Sequence, residues 1–176
     1  MEEERALMPS MSIMSGDDDI TLIMMGSEKI KASGVISVTT NFAPRAVSEM
    51  VSAALAGDTK KALALEEKLK PLISIVTVKA ESERILPDGR RVKVQDRFRN
   101  PIAVKAIMKV FGMPAGPCRK PLGKLSPAGA SVIRGALGRV MKETPEILSP
   151  IGEFYGVDIE ARLHDESVWQ SVVYPD

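Results

Sequence analysis

Three consecutive carboxylates, Asp17-Asp18-Asp19, follow Ser15-Gly16, and such side chains could hold a cation or move a proton. Hard cations need more oxygen ligands than one such turn offers. An acidic run also suits the first turn of a helix, where the backbone dipole favours negative charge. The cluster therefore reads as a helix start, and no metal is expected. Lys105 is the lysine considered for covalent chemistry, because an amine attacks carbonyls once its surroundings lower its pKa. It sits early in a predicted helix with nothing arranged to do so, and reads as structural. Cys118 lies in a Pro/Gly loop beside Arg119 and Lys120, neighbours that favour a thiolate. No His or second Cys is near in sequence, so it reads as an ordinary loop thiol. His164 stands alone in an acidic tail and reads as solvated. Residues 83–98 carry Arg84, Arg90, Arg91, Lys93 and Arg97 against Asp88 and Asp96, with Arg99 just beyond. That segment could meet an acidic surface or nucleic acid. Its only aromatic residue, Phe98, gives no stacking platform for single strands, and it reads as a solvated hairpin. The methionines at positions 8–25 read as core filler.

The chain that must position these groups has 176 residues, with 24 Lys+Arg against 23 Asp+Glu and a net charge of +1. That length suits one soluble domain. The charge balance argues against general electrostatic binding to nucleic acid or to a membrane surface. One Cys and one His exclude an intrachain disulfide, a multi-Cys zinc site and a His-pair site. No apolar run approaches the roughly 20 residues of a membrane span. The start, Met-Glu-Glu-Glu-Arg, lacks the basic and apolar regions of a secretory signal, so a cytoplasmic location is expected.

The local patterns predict an α/β order. Residues 11–15 alternate apolar and small polar and suit a strand. Ile20, Leu22, Ile23, Met24 and Met25 predict a helix that stops near Gly26. The β-branched run 34–38 predicts a second strand, buried on both faces, giving a βαβ unit with parallel strands. Pro44 opens a helix carrying Val47, Met50, Val51, Ala54 and Leu55, with Gly57 at its cap. Asp58 caps the next, whose stripe is Ala62, Leu65, Leu69, Leu72, Ile73 and Val76, with a kink expected at Pro71. Asp88-Gly89 predicts the hairpin turn. A helix follows Pro101, residues 112–125 form a loop, and Ser126-Pro127 opens a further helix. Thr144-Pro145 starts a short one. Two parallel strands alone have open edges and little stability. Either they belong to a larger sheet whose remainder is elsewhere, or the fold is an unusual small one.

Ser15-Gly16-Asp17-Asp18, then Gly34-Val35-Ile36-Ser37-Val38-Thr39-Thr40-Asn41, then Asn100-Pro101-Ile102-Ala103-Val104-Lys105 occur in that order. Leu55-Ala56-Gly57-Asp58, Glu67-Lys68-Leu69-Lys70-Pro71-Leu72 and Lys120-Pro121-Leu122 lie between or after them. The ordered set resembles the dihydrodipicolinate synthase family over most of residues 5–143. The resemblance implies part of a (β/α)8 barrel, with residues 11–15 as strand seven and 34–38 as strand eight. It assigns residues 1–57 to the barrel and 58–143 to an appended helical region with a hairpin inserted at 83–98, and leaves 144–176 as a tail without a counterpart. Ala103 stands where the family usually has proline.

The family condenses pyruvate with aspartate semialdehyde through a Schiff base on a strand-six lysine, in lysine biosynthesis. The resemblance gives that lysine, and the proton-relaying tyrosine and threonine, no counterpart among these residues. The chain alone is therefore expected to be inactive, and no residue of it is assigned a catalytic role. Three positions carry over as substrate-binding: Gly16, where backbone approaches the substrate closely, Asp17 at the rim, and Ile36 lining the pyruvate pocket. No cofactor is implied. The expected partners are a pyruvate-type small molecule once the barrel is complete, and a homo-oligomer or a chain supplying the missing strands. The alternative is a non-catalytic interaction module, or a split-enzyme subunit, derived from the barrel scaffold.

Overall fold

The computed structural model describes residues 1–174 and is α/β, with two separate two-stranded sheets. It divides into two compact units, Met1–Ile73 and the residues from Ser74 onward.

In the first unit, α1 (Glu2–Leu7) precedes β1 (Met14–Ser15). A 3-10 turn at Asp18–Ile20 leads into α2 (Thr21–Gly26), and β2 (Gly34–Val35) follows. The strands pair in parallel, Met14 with Gly34 and Ser15 with Val35. Main-chain bonds extend the pairing, from Ser33 N–H to Ile13 O at 2.7 Å and from Ile36 N–H to Ser15 O at 2.8 Å. Ile13, Met24 and Ala32 are the buried centre, flanked by Met11, Met25 and Ile30. Arg5 closes the end of the pair away from the strand C-termini. Its Nε donates to Ile30 O at 2.9 Å, its Nη1 to Pro9 O at 2.6 Å and Met11 O at 2.7 Å, and its Nη2 to Lys31 O at 3.2 Å.

The expected βαβ order is present, but its burial is not. Strand pairing shrinks to two residues each, and Ile36, read as buried on both faces of a strand, is 72% exposed. Ile23 of the predicted helix face is 69% exposed. Both follow from one cause: each strand has a single neighbour, so neither the sheet nor α2 has a full layer to pack against.

After a second 3-10 turn at Thr39–Asn41, α3 (Pro44–Leu55) packs against α4 (Thr59–Ile73). Pro44 opens α3, and Gly57 leaves it with φ +78°, a left-handed conformation that suits glycine. Asp58 Oδ1 accepts from Lys61 N–H at 3.0 Å, as expected of its capping position. The predicted stripe is buried at Ala62, Leu69 and Leu72, but α4 ends at Ile73, which leaves Val76 outside it.

The second unit begins with β3 (Val78–Ile85) and β4 (Arg91–Phe98), an antiparallel hairpin that starts five residues earlier than expected on its first arm. Gly89, at φ +84°, and the Asp88 carboxylate, bonded to Arg90 N–H at 3.1 Å, make the turn. Half of the hairpin's basic side chains are met from within: Arg84 pairs with Asp96, Arg90 with Asp88 and Arg91 with Glu83. Next come α5 (Ile102–Val110), the loop, and α6 (Pro127–Glu143), which packs on β3. Ser126 caps α6 by accepting from Gly129 N–H at 3.2 Å.

The tail is more regular than its acidic composition suggested. A 3-10 turn at Pro145–Ile147 leads to α7 (Ser149–Tyr155), α8 (Ile159–His164) and α9 (Glu166–Gln170). Asp158 and Asp165 are the N-caps of α8 and α9. Arg162 donates from Nε to Val110 O, and from Nη2 to Lys109 O at 3.1 Å, which also accepts from Gly112 N–H, and so grips the last carbonyls of α5. Val157 lies against Gly112, whose φ of +77° turns the chain out of α5. Trp169 is 3% exposed and donates to Leu163 O at 3.0 Å. Val173 then bridges to Leu125, with Tyr174 N–H bonded to Leu125 O at 3.0 Å. Among the described residues no helix is long and apolar enough to cross a membrane.

Candidate functional site

Parallel strands open their C-terminal ends to the loops that follow, and in α/β folds ligands bind there. At that end of the β1–β2 pair the chain places Gly16 and Asp17 directly after β1, and Ile36 directly after β2. The bond from Ile36 N–H to Ser15 O sets Ile36 beside the main chain that leads into Gly16. All three predicted positions are therefore brought together, and all three are exposed.

The loops are built by short side chains that replace missing backbone partners. Ser15 is fully buried, and its hydroxyl donates to Asp17 O at 2.8 Å. Thr21 Oγ1 donates to the same carbonyl at 3.0 Å. On the other side Thr40 Oγ1 donates to Ser37 O at 2.6 Å, and Thr40 N–H donates to Ser37 Oγ at 3.2 Å. A single carboxylate joins the two loops: Asp18 Oδ2 accepts from both Thr39 N–H at 3.0 Å and Thr39 Oγ1 at 2.7 Å. Thr39 is fully buried.

The acidic run stands at a helix start, as expected: Asp17 is the N-cap residue, and Asp18 and Asp19 lie in the 3-10 turn that leads into α2. No side-chain cap bond is made at the start of the 3-10 turn or of α2. Asp18 instead spends its charge on a residue 21 positions away, and Asp17 and Asp19 point to solvent-exposed positions. Among the described residues, no group of three or more His, Cys, Asp and Glu side chains could hold a metal ion. Gly16 is not required by this chain's own packing. A Cβ there would meet nothing within 4 Å. Any demand for glycine must come from a group outside these residues.

The remaining candidates lie in the second unit. Lys105 Nζ donates to Pro117 O at 2.9 Å and so ties the 112–125 loop to α5. Cys118 is half-buried with a free thiol, and His164 is exposed. Asp18, Thr39 and Ser15 are the residues that sequence reasoning left without a role. Their short polar side chains beside a strand end were visible, but their pairing across 21 residues was not.

The strand pair, its joined loops and the helices that follow match a known family. The chain belongs to the dihydrodipicolinate synthetase family, whose model matches residues 1–137. It is 34% identical to the 4-hydroxy-tetrahydrodipicolinate synthase of Methanothrix thermoacetophila over 136 residues, covering 77% of this chain and 39% of the relative. The crystal structure of dihydrodipicolinate synthase from Aquifex aeolicus superposes with a TM-score of 0.56 at 32% identity, over 79% of this chain and 39% of that one. The 4-hydroxy-tetrahydrodipicolinate synthase of Methylacidiphilum fumariolicum does so with a TM-score of 0.59 at 29% identity, over 77% and 38%. The chain thus spans about two-fifths of the length of these relatives. The helices α7 to α9 lie beyond the matched residues.

Proposed function

We propose that these residues are the last two strand–helix units of a (β/α)8 barrel with its appended helices, and that they serve a lyase condensing pyruvate with aspartate semialdehyde. The observation that carries this reading is the parallel β1–β2 pair, with an unpaired outer edge on each strand and its C-terminal loops joined through Asp18. Active sites of (β/α)8 barrels sit at that end of the strands. A barrel typically takes about 250 residues, and six strands remain to be supplied by a preceding segment or a separate chain.

In the completed pocket, Gly16 offers bare main chain to the substrate, Asp17 stands at the rim, and Ile36 gives an apolar wall. The exposure of Ile36 and the empty space over Gly16 support this assignment. The covalent step needs a lysine amine, freed of its proton, to attack the pyruvate carbonyl. That lysine belongs to strand six, so the residues described here bind and enclose but do not react, and the chain alone is inactive.

The test is borohydride trapping with pyruvate, read by intact mass and peptide mapping. The full chain is used alone, then with the segment of the Aquifex aeolicus relative that carries the first six strands. The chain alone gives no adduct, and the assembly gives one on a lysine of the added segment. A stoichiometric adduct on the chain alone would overturn the claim of incompleteness. Absence of an adduct in a formed assembly would overturn the pocket assignment.

A further inference from the structure

The joined loops carry a consequence for substrate fit that resemblance alone does not supply. Gly16 precedes Asp18 by two residues, and Ile36 precedes Thr39 by three. On one side of each proposed pocket residue the chain is fixed by the strand pair, through Ser15 O and Ile36 N–H. On the other side the two loops are joined, among the described residues, through the Asp18 carboxylate and Thr39. We infer that Asp18 is a positioning residue: by holding both donors of Thr39 it sets the gap between Gly16 and Ile36, and with it the fit of a small 2-oxo acid at that gap. The inference rests on the pocket reading proposed above.

The physical reasons are specific. A carboxylate that accepts from an N–H and an O–H of one residue fixes direction as well as distance. Thr39 is fully buried, so losing the acceptor leaves two donors unsatisfied where water cannot readily replace it. The loops then settle into another arrangement. A shifted wall loosens ground-state binding, whereas the reacting amine, placed on strand six, is not displaced by these loops. Asp18 touches no substrate in this scheme; its Oδ2 is taken up by Thr39.

The experiment has two arms, using Asp18→Ala, Thr39→Val and the conservative Thr39→Ser. In the first, amide NMR spectra of the full chain are compared. Asp18→Ala and Thr39→Val shift the Gly16 and Ile36 signals, and Thr39→Ser, which keeps both donors, leaves them near wild type. Unmoved Gly16 and Ile36 signals in both disruptive variants would overturn the inference while leaving the pocket reading standing. Thr39→Val preserves shape, removes the hydroxyl bond, and tests the link if Asp18→Ala fails to fold. In the second arm the assembly described above is trapped with borohydride over a range of pyruvate concentrations. The disruptive variants raise the half-saturating pyruvate concentration about tenfold with a smaller change in the maximal trapping rate, and Thr39→Ser restores it. Half-saturation within twofold of wild type in both would overturn the positioning role. Failure of the wild-type assembly to trap pyruvate would remove the pocket reading and this inference with it.

Discussion

Replacing Arg5 should loosen the strand pair by an amount that can be worked out from its bonds. The guanidinium reaches four main-chain carbonyls in two separate stretches, at Pro9 and Met11 and at Ile30 and Lys31. Two of those bonds, to Ile30 and Met11, are partly buried, and two are exposed. A bond from a charged donor contributes about 1.5 kcal/mol at the lower end when shielded, and the exposed pair is taken as near zero. Arg5→Ala then costs about 3 kcal/mol of local stability. Lysine cannot fork, so Arg5→Lys recovers one shielded bond and costs about half as much. Native-state hydrogen exchange reads this at Ser33 and Ile36, whose amides bond to Ile13 and Ser15 across the pair. Exchange there accelerates by about a hundredfold in Arg5→Ala and about tenfold in Arg5→Lys. The amide of Tyr174, bonded to Leu125, serves as internal reference. Acceleration of less than about threefold in Arg5→Ala would refute the reasoning, since it would mean that the carbonyls exchange arginine for water at no cost.

Two other perturbations test the second unit. A Cβ added at Gly129 in α6 would come within 2.6 Å of the Phe98 ring, whereas Gly135 and Gly138 in the same helix face open space. Gly129→Ala therefore lowers the thermal midpoint, overpacking of about 1–3 kcal/mol outweighing the helix propensity gained. Gly135→Ala and Gly138→Ala raise it, by about 0.4–1 kcal/mol each; a stabilising Gly129→Ala would show that Phe98 yields. The Ser167 hydroxyl, then its N–H, hold the Asp165 carboxyl below the ordinary carboxylate range. A lowered folded-state pKa gives stability that is present above the unfolded value and lost as pH falls through the folded one. The α9 cap should thus fail in acid below that range, with a red shift in Trp169 emission. Asp165→Asn, which keeps an acceptor but does not titrate, should flatten that component. An unchanged acid transition in the asparagine variant would place its origin elsewhere.

The parts of this molecule legible in the sequence are those fixed by neighbours along the chain. Pro44, Asp58, Asp88-Gly89 and Ser126-Pro127 each act within a few residues, and each marks a boundary where the structure has one. Asp158 and Asp165 are equally local caps, but the helices they start have six and five residues, too short to show a periodic face. Acidic composition hid them. Arg5 was silent because its partners at Ile30 and Lys31 lie 25 and 26 residues away. The link between Asp18 and Thr39 was silent for the same reason. Of the proposed pocket, sequence similarity could nominate Gly16, Asp17 and Ile36. It could not say that Ile36 stands bare, because a β-branched run reads as buried wherever the rest of its sheet is kept.

The way α8 meets α5 bears on how such a segment could be acquired. Arg162 attaches to the carbonyls of Lys109 and Val110, which any residues at those positions would present. A helix end offers up to four such acceptors whatever its side chains are. An addition that grips them needs no matching change on the surface it joins, and substitutions at Lys109 leave the grip intact. Attachment through the main chain is thus a route by which a lineage can lengthen a domain in one step and refine the side-chain packing, such as that around Trp169, afterwards.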